Sequence, residues 1–105
     1  MISAALMCLA MNVYHESRSE PMLGQYAVAH VVVNRVQSDK YPDEVCAVVH
    51  QGFHKGRHKC QFSWYCDGKS DEVVDTDSIV WKNVNDIVYQ ILAFDSWSGF
   101  LEGAT

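Results

Sequence analysis

The chain has 105 residues, 49% of them apolar, which suits one domain (1–105) with a single hydrophobic core. Its 13 acidic and 8 basic residues give a formal charge of -5, which disfavours binding to a nucleic-acid backbone. No apolar run reaches the roughly 20 residues that cross a bilayer, and the first ten residues lack the basic leader and cleavage site of a signal peptide. We therefore expect no nucleic-acid partner, no membrane span and no signal peptide.

Apolar periodicity predicts two helices in the first third of the chain. Apolar residues recur at helical spacing over residues 2–13, so the first amphipathic helix runs toward residues 14–17. Pro21 suits the first turn of a second helix. Residues 22–36 are apolar enough for that helix to be buried on most sides, which predicts that it is the central helix of the fold.

The rest of the chain predicts two more helices around a turn-prone stretch. Pro42 starts a short third helix that runs to Val49, and residues 60–65 are predicted to form a short strand or hairpin arm before the Asp67-Gly68 turn. Asp75, Asp77 or Ser78 can cap a last helix with an apolar stripe of Val80, Val84, Ile87, Val88, Ile91 and Leu92. The fold class is therefore mainly α, or α+β if the hairpin is counted.

The four cysteines leave their pairing open. Cys8 lies within an apolar helical pattern, which favours a buried free thiol. Cys60 and Cys66 flank a short turn-prone stretch and can pair, and Cys46 can equally pair with either of them.

Two glutamates lie around the joint between the first and second helices. Glu16 follows an apolar helix and Tyr14, so partial desolvation would favour its protonated form and suit it to donate a proton near neutral pH. Taken alone, however, a glutamate at a helix end is usually a surface residue. Glu20 lies between Ser19 and Pro21, where its carboxylate can accept backbone N–H bonds and support the turn that holds Glu16.

The segment Gln61-Phe62-Ser63-Trp64 combines amide, hydroxyl and aromatic groups, which suit the edges and faces of sugar rings. The alternative is a purely structural alternation, in which Phe62 and Trp64 point inward and Gln61 and Ser63 share the opposite face.

A zinc site is the competing hypothesis for the preceding segment. His50, His54 and His58 are spaced four apart with Cys60 nearby, but intervening glycines disfavour the helix that would align them. We predict no metal and no cofactor. The same segment has a cluster of basic residues, predicted as a solvated loop or, alternatively, as a patch for an acidic polymer.

Taken together, several blocks resemble the cell-wall hydrolase family typified by the spore cortex-lytic enzyme, a group also found among phage lysins. The resemblance spans nearly the whole chain and departs at Ser17 and Ser19, where the family usually has Ala and Gly. In chain order the blocks are Tyr14-His15-Glu16-Ser17-Arg18-Ser19-Glu20-Pro21, Gly24-Gln25, Ala27-Val28-Ala29, Asn34-Arg35-Val36, Pro42, Val45-Cys46, Val48-Val49, Gln51 and Gln61-Phe62-Ser63.

The resemblance implies a lysozyme-like, mainly helical fold with Glu16 as the catalytic acid. It implies that residues 61–63 line a glycan cleft, and we expect Tyr14 and Trp64 to contact the same substrate. Arg18 and Glu20 are expected to support the site structurally. Family members continue beyond the Gly103-Ala104 region into a tail with His and aromatic residues, so we expect this chain to lack either one wall of the cleft or full activity.

The implied substrate is peptidoglycan, cut between N-acetylmuramic acid and N-acetylglucosamine by a monomeric lytic transglycosylase. A single acid suffices for that reaction, whereas hydrolysis by a muramidase usually needs a second carboxylate, for which Asp67 and Glu20 are the candidates. A non-catalytic wall-binding component is a further alternative. The expected place of action is the bacterial cell wall, reached by a phage-encoded protein or through another delivery factor.

Overall fold

A computed structural model describes residues 3–52, 59–67, 71–74 and 77–94. The helices are α1 (Ala4–Ser17), α2 (Met22–Gln37), α3 (Val45–Val49) and α4 (Ser78–Phe94), with a 3-10 helix at Ser63–Cys66. These residues include no β-strand, so the predicted mainly α class is confirmed. Among them, no helix has the length and apolar character needed to cross a membrane.

The central helix is α1. It begins at Ser3, whose hydroxyl accepts a hydrogen bond from the Leu6 amide at 3.1 Å, and it packs against α2, α3 and α4. Its inward face is fully buried at Leu9 and Val13. The prediction that the second helix would be central is wrong, because α2 begins with two exposed apolar residues, Met22 and Leu23, and only one of its faces enters the core.

The predicted stripe of α4 is confirmed. Val84, Ile87, Val88 and Ile91 are buried in the core, and Val80 and Leu92 pack at its margin. Of the three candidate caps, Asp75 lies outside the described residues, and Ser78 is the first residue of the helix.

The predicted strand at residues 60–65 is wrong, although its alternation is right. Phe62 and Trp64 are buried while their neighbours Gln61 and Ser63 are exposed. Six extended residues would separate their ends by about 20 Å, whereas the Cα atoms of Cys60 and Cys66 are 6.1 Å apart and joined by a disulfide. The chain therefore closes into the 3-10 helix, since alternation alone does not distinguish an extended segment from a turned one.

All four cysteines form disulfides, so the prediction of a free thiol at Cys8 is wrong. Cys8 lies on α1, and the packing of α3 against that helix brings the Cα of Cys46 to 5.3 Å. The short helix begins at Val45 and not at Pro42, which places Cys46 in its first turn. The bond Cys60–Cys66 is one of the pairings that the sequence left open.

The backbone after α3 makes a close approach to itself. The Gln61 amide donates to the Gln51 carbonyl at 2.9 Å, and Gly52 has a φ of +92°. A Cβ atom at position 52 would collide with the Lys59 carbonyl and lie 3.1 Å from the Cα of Cys60. Glycine is therefore required at this position by conformation and by space.

Candidate active site

The last turn of α1 presents Glu16 to a hollow of about 190 Å³ whose other lining residues are Val28, Val31 and Phe62. We call this the apolar hollow. Glu16 is exposed as a residue, but it lines the hollow together with these three apolar residues. Partial burial raises the pKa of that carboxyl, and the charge of His15 opposes the rise to a smaller extent.

Phe62 connects two of the sequence blocks at this hollow. Its ring is 7% exposed, and the guanidinium of Arg35 lies 5.4 Å from the ring centroid. The same guanidinium lies 5.0 Å from the ring centroid of Tyr41. Cation–π contacts on both sides thus give Arg35 a role that its position at the end of α2 did not reveal.

Trp64 is anchored to α1 rather than displayed to solvent. Its indole Nε1–H donates to Asn12 Oδ1 at 2.8 Å, and its ring stacks on His15 with 4.5 Å between centroids. With an exposed fraction of 9%, it offers only an edge to a bound molecule. Gln61 and Ser63, in contrast, are exposed on either side of Phe62.

Tyr14 is fully buried, so its hydroxyl acts within the protein and not on a substrate. That hydroxyl donates to Asp77 Oδ2 at 2.8 Å and accepts hydrogen bonds from Arg18 Nη1 at 3.1 Å and the Val74 amide at 3.2 Å. Arg18 and Asp77 also approach to 3.5 Å as an ion pair. The expectation of substrate contact by Tyr14 is therefore corrected: Tyr14 and Arg18 fasten the end of α1 to the start of α4.

In the joint between α1 and α2, Glu20 takes part through its backbone, whose amide donates to the Ser17 carbonyl at 2.9 Å. Ser17 is buried and donates from Oγ to the Val13 carbonyl at 2.7 Å, while Gln25 Nε2 donates to the Ser17 carbonyl at 3.4 Å. Helix α2 begins at Pro21 without a side-chain cap. The exposed Glu20 side chain lies over Gly24, where an added Cβ would come within 3.0 Å of Glu20 Cβ. The side chain of Glu20 thus packs on a glycine, whereas the sequence predicted that its carboxylate would accept backbone N–H bonds.

A second hollow, of about 370 Å³, is also lined by residues at the end of α1. It is mostly charged, and the His15 ring is held there by Nε2–H donation to the Asp71 carbonyl at 2.9 Å. We call it the charged hollow, and its lining residues are His15, Arg18, Trp64, Asp67, Asp71, Glu72 and Val74. The sequence did not predict that residues 71–74 line this hollow, because that stretch has no hydrophobic periodicity.

One candidate ligand of the hypothesised zinc site, Cys60, is not available to bind a metal in the structure. Cys60 is bound to Cys66, and the His50 ring stacks on Tyr65 with 3.8 Å between centroids. Burial lowers the pKa of His50. His54, His58 and most of the basic cluster lie outside the described residues, and within the described ones no three His, Cys, Asp or Glu side chains are grouped to hold a metal.

Comparison with known proteins gives a family match over residues 19–95, to a model described as Cell Wall Hydrolase. A spore cortex-lytic enzyme of Bacillus cereus is 54% identical over 41 residues, which are 39% of this chain and 16% of that enzyme. The spore cortex-lytic enzymes of Halalkalibacterium halodurans and Bacillus subtilis are 49% and 46% identical over the same length, covering 12% and 13% of those enzymes. The match thus spans less than a fifth of each relative. No solved structure matches.

Proposed function

Because the chain belongs to the cell wall hydrolase family, we propose that it cleaves the glycan strands of peptidoglycan with Glu16 as the proton donor. The observation that carries the proposal is the apolar hollow, which Glu16 lines together with Val28, Val31 and Phe62, and burial raises the pKa of its carboxyl. A carboxylic acid can protonate a leaving oxygen near neutral pH only in such a setting. The place of action would be the bacterial cell wall.

The bond-breaking step proposed is lytic transglycosylation. Glu16 gives its proton to the glycosidic oxygen as the bond to muramic acid breaks. The resulting carboxylate then takes the proton of the muramic C6 hydroxyl, whose oxygen closes a 1,6-anhydro ring on the anomeric carbon. The carboxyl returns to its starting protonation state, and no water is consumed.

The placement of the acidic residues supports this reaction over hydrolysis. A hydrolase of the usual kind places two carboxyls about 5 to 9.5 Å apart on either side of one bond. Among the described lining residues of the apolar hollow, Glu16 is the one carboxyl. Asp67 lines the charged hollow, and Glu20 lies over Gly24. Muramidase-type hydrolysis with Asp67 as the partner is the second candidate.

Substrate contact is assigned to the exposed groups beside the acid. Gln61 and Ser63 offer an amide and a hydroxyl to the polar edge of a sugar, and Phe62 offers an apolar wall between them. The exposed edge of Trp64 would extend this surface toward the charged hollow. Such a surface suits a polymer that lies across the end of α1.

Product analysis of digested sacculi tests the proposal. Purified peptidoglycan is incubated with the wild-type chain and with Glu16→Gln, and the released fragments are identified by mass spectrometry. Anhydro-muramyl ends that depend on Glu16 support transglycosylation, whereas reducing muramic ends support the muramidase alternative. Sedimentation with sacculi without product release would instead identify a wall-binding component, and lysis by Glu16→Gln would refute the catalytic assignment.

A further inference from the structure

We propose that Asn12 and Trp64 form a positioning pair, whose hydrogen bond holds the Phe62 wall of the apolar hollow against Glu16. Neither residue touches the reacting atoms under the proposed function, on which this inference rests. The pair would act through Phe62 by fixing how closely the substrate-binding segment approaches the acid.

The geometry supports this connection at both ends. Asn12 and Glu16 are one helical turn apart on α1, so they lie on the same side of that helix. Trp64 is two residues after Phe62, and its Nε1 lies 2.8 Å from Asn12 Oδ1. The hydrogen bond therefore joins the helix that carries the acid to the segment that carries the wall.

The chemistry of position 12 also indicates a specific role. Asn12 is 0% exposed, and its Nδ2 has no hydrogen-bond partner within the described residues. An amide with an unmet buried donor is unfavourable compared with an apolar residue of similar shape, such as leucine. An asparagine there is best explained by its acceptor, which Trp64 alone uses in the described structure.

Apart from the stacking of Trp64 on His15, which is a second link to α1, the contacts of the segment hold it at other points. The Gln61 amide bonds to Gln51, Arg35 covers Phe62, and the Cys60–Cys66 disulfide closes the segment on itself. Of the side-chain hydrogen bonds described for residues 60–66, the one between Asn12 and Trp64 reaches α1 directly. Loss of this bond would let Phe62 move away from the acid while the rest of the segment stays attached.

Glu16 itself provides the readout. The other residues of its hollow, Val28 and Val31 on α2 and Phe62, do not titrate, and His15 on α1 is the charged neighbour that acts on its pKa. If Phe62 recedes, water reaches the carboxyl and the Glu16 pKa falls toward the ordinary value of a glutamate. A purely structural role for the pair would lower stability without changing that pKa.

The test uses Trp64→Phe, which keeps an aromatic ring on His15 but removes the donor, Asn12→Leu, which removes the acceptor, and the double variant. We expect the Glu16 pKa, followed by carbon-13 NMR of its carboxyl, to fall in each. On soluble glycan strands we expect kcat to fall about tenfold with KM changed less than about twofold. The double variant should be no worse than either single variant, because one bond is lost in all three.

Val88→Ala, a core truncation in α4, is the matched control for lost stability, and it should leave the Glu16 pKa unchanged. If Trp64→Phe folds and keeps the wild-type pKa and kcat, the inference is wrong; this variant decides the matter even if Asn12→Leu does not fold. A fall in pKa with a wild type that releases no fragments from peptidoglycan would support the positioning pair and refute the proposed function instead.

Discussion

The two hollows are both lined by residues at the end of α1 but differ in chemistry. His15 and Glu16 are consecutive, yet His15 lines the charged hollow and Glu16 lines the apolar one. Acidic residues in the charged hollow lie among Arg18, His15 and one another, whereas Glu16 lies against two valines and a phenylalanine. The walls around an acid, more than its place in the sequence, therefore determine whether it can serve as a proton donor.

The largest expected effect comes from replacing an acid by its amide, first in the apolar hollow and then, for comparison, in the charged hollow. Glu16→Gln should lower peptidoglycan cleavage about 1000-fold, because the amide preserves shape but has no proton to donate. Asp67→Asn, in the charged hollow, should keep activity within about threefold of wild type. Release of muropeptides measures both, with circular dichroism as the check on folding. A comparable loss in Asp67→Asn would favour the two-carboxylate muramidase.

The disulfides should separate overall stability from the shape of the hollows. Cys8–Cys46 closes 38 residues and Cys60–Cys66 closes 6, so chain entropy predicts losses of about 4 and about 2 kcal/mol when each pair is replaced by alanine. Only the loop closed by the second pair contains Phe62, which lines the apolar hollow, and Trp64, which lines the charged hollow. Denaturant unfolding should therefore show the larger loss for Cys8→Ala/Cys46→Ala, and activity at low temperature the larger loss for Cys60→Ala/Cys66→Ala. The reverse order in activity would show that the segment keeps its shape without the bond.

A single hydroxyl in each hollow should distinguish the two environments. Val31→Thr places a donor beside Glu16, which should stabilise the carboxylate, lower its pKa and reduce activity near neutral pH by about threefold to tenfold. Val74→Thr makes the same change in the charged hollow and should leave the pH profile unaltered. Activity measured across pH should show its alkaline limb moved to lower pH in Val31→Thr alone. Equal shifts in the two variants would contradict the assignment of that limb to Glu16.

The smallest effect is on the pH dependence of stability. Folding raises the Glu16 pKa, so the folded state holds its proton more firmly than the unfolded state. The stability that this provides is fully present at acidic pH and is lost as the pH rises through the folded-state pKa. Glu16→Gln should therefore melt slightly higher than wild type near neutral pH, with no gain in acid. Glu20→Gln, outside the hollow, is the control. An equal gain in melting temperature in that variant would show that the raised pKa of Glu16 is not the cause.

The helices and the alternation at residues 61–64 could be predicted because they depend on local periodicity. The contacts between distant segments could not. Cys8 looked like a core thiol because its partner is 38 residues away on a helix that only tertiary packing brings near. Tyr14 looked like a substrate contact because Asp77, which accepts the hydrogen bond of its hydroxyl, is 63 residues away.

Glu16 illustrates the same limit at the candidate site. Its surface position followed from its place at a helix end, and partial desolvation of its carboxyl was a reasonable expectation from its apolar neighbours. The walls that desolvate it, Val28 and Phe62 among them, come from other elements and have no local signal. Only the resemblance over several blocks singled this glutamate out.

Gly52 also has an evolutionary consequence. The backbone at Gly52 meets the backbone at Lys59, so two positions seven residues apart in the sequence lie at nearly one point. Because this contact fixes positions 52 and 59 relative to each other, we expect changes between them to leave the positions of Gln61 and Phe62 unaltered. Position 52 itself cannot vary in this way, since any other residue would strain the turn and push the backbone at position 52 away from the backbone at Lys59. Across homologous chains, we expect the intervening residues to vary in length and charge while the glycine stays fixed.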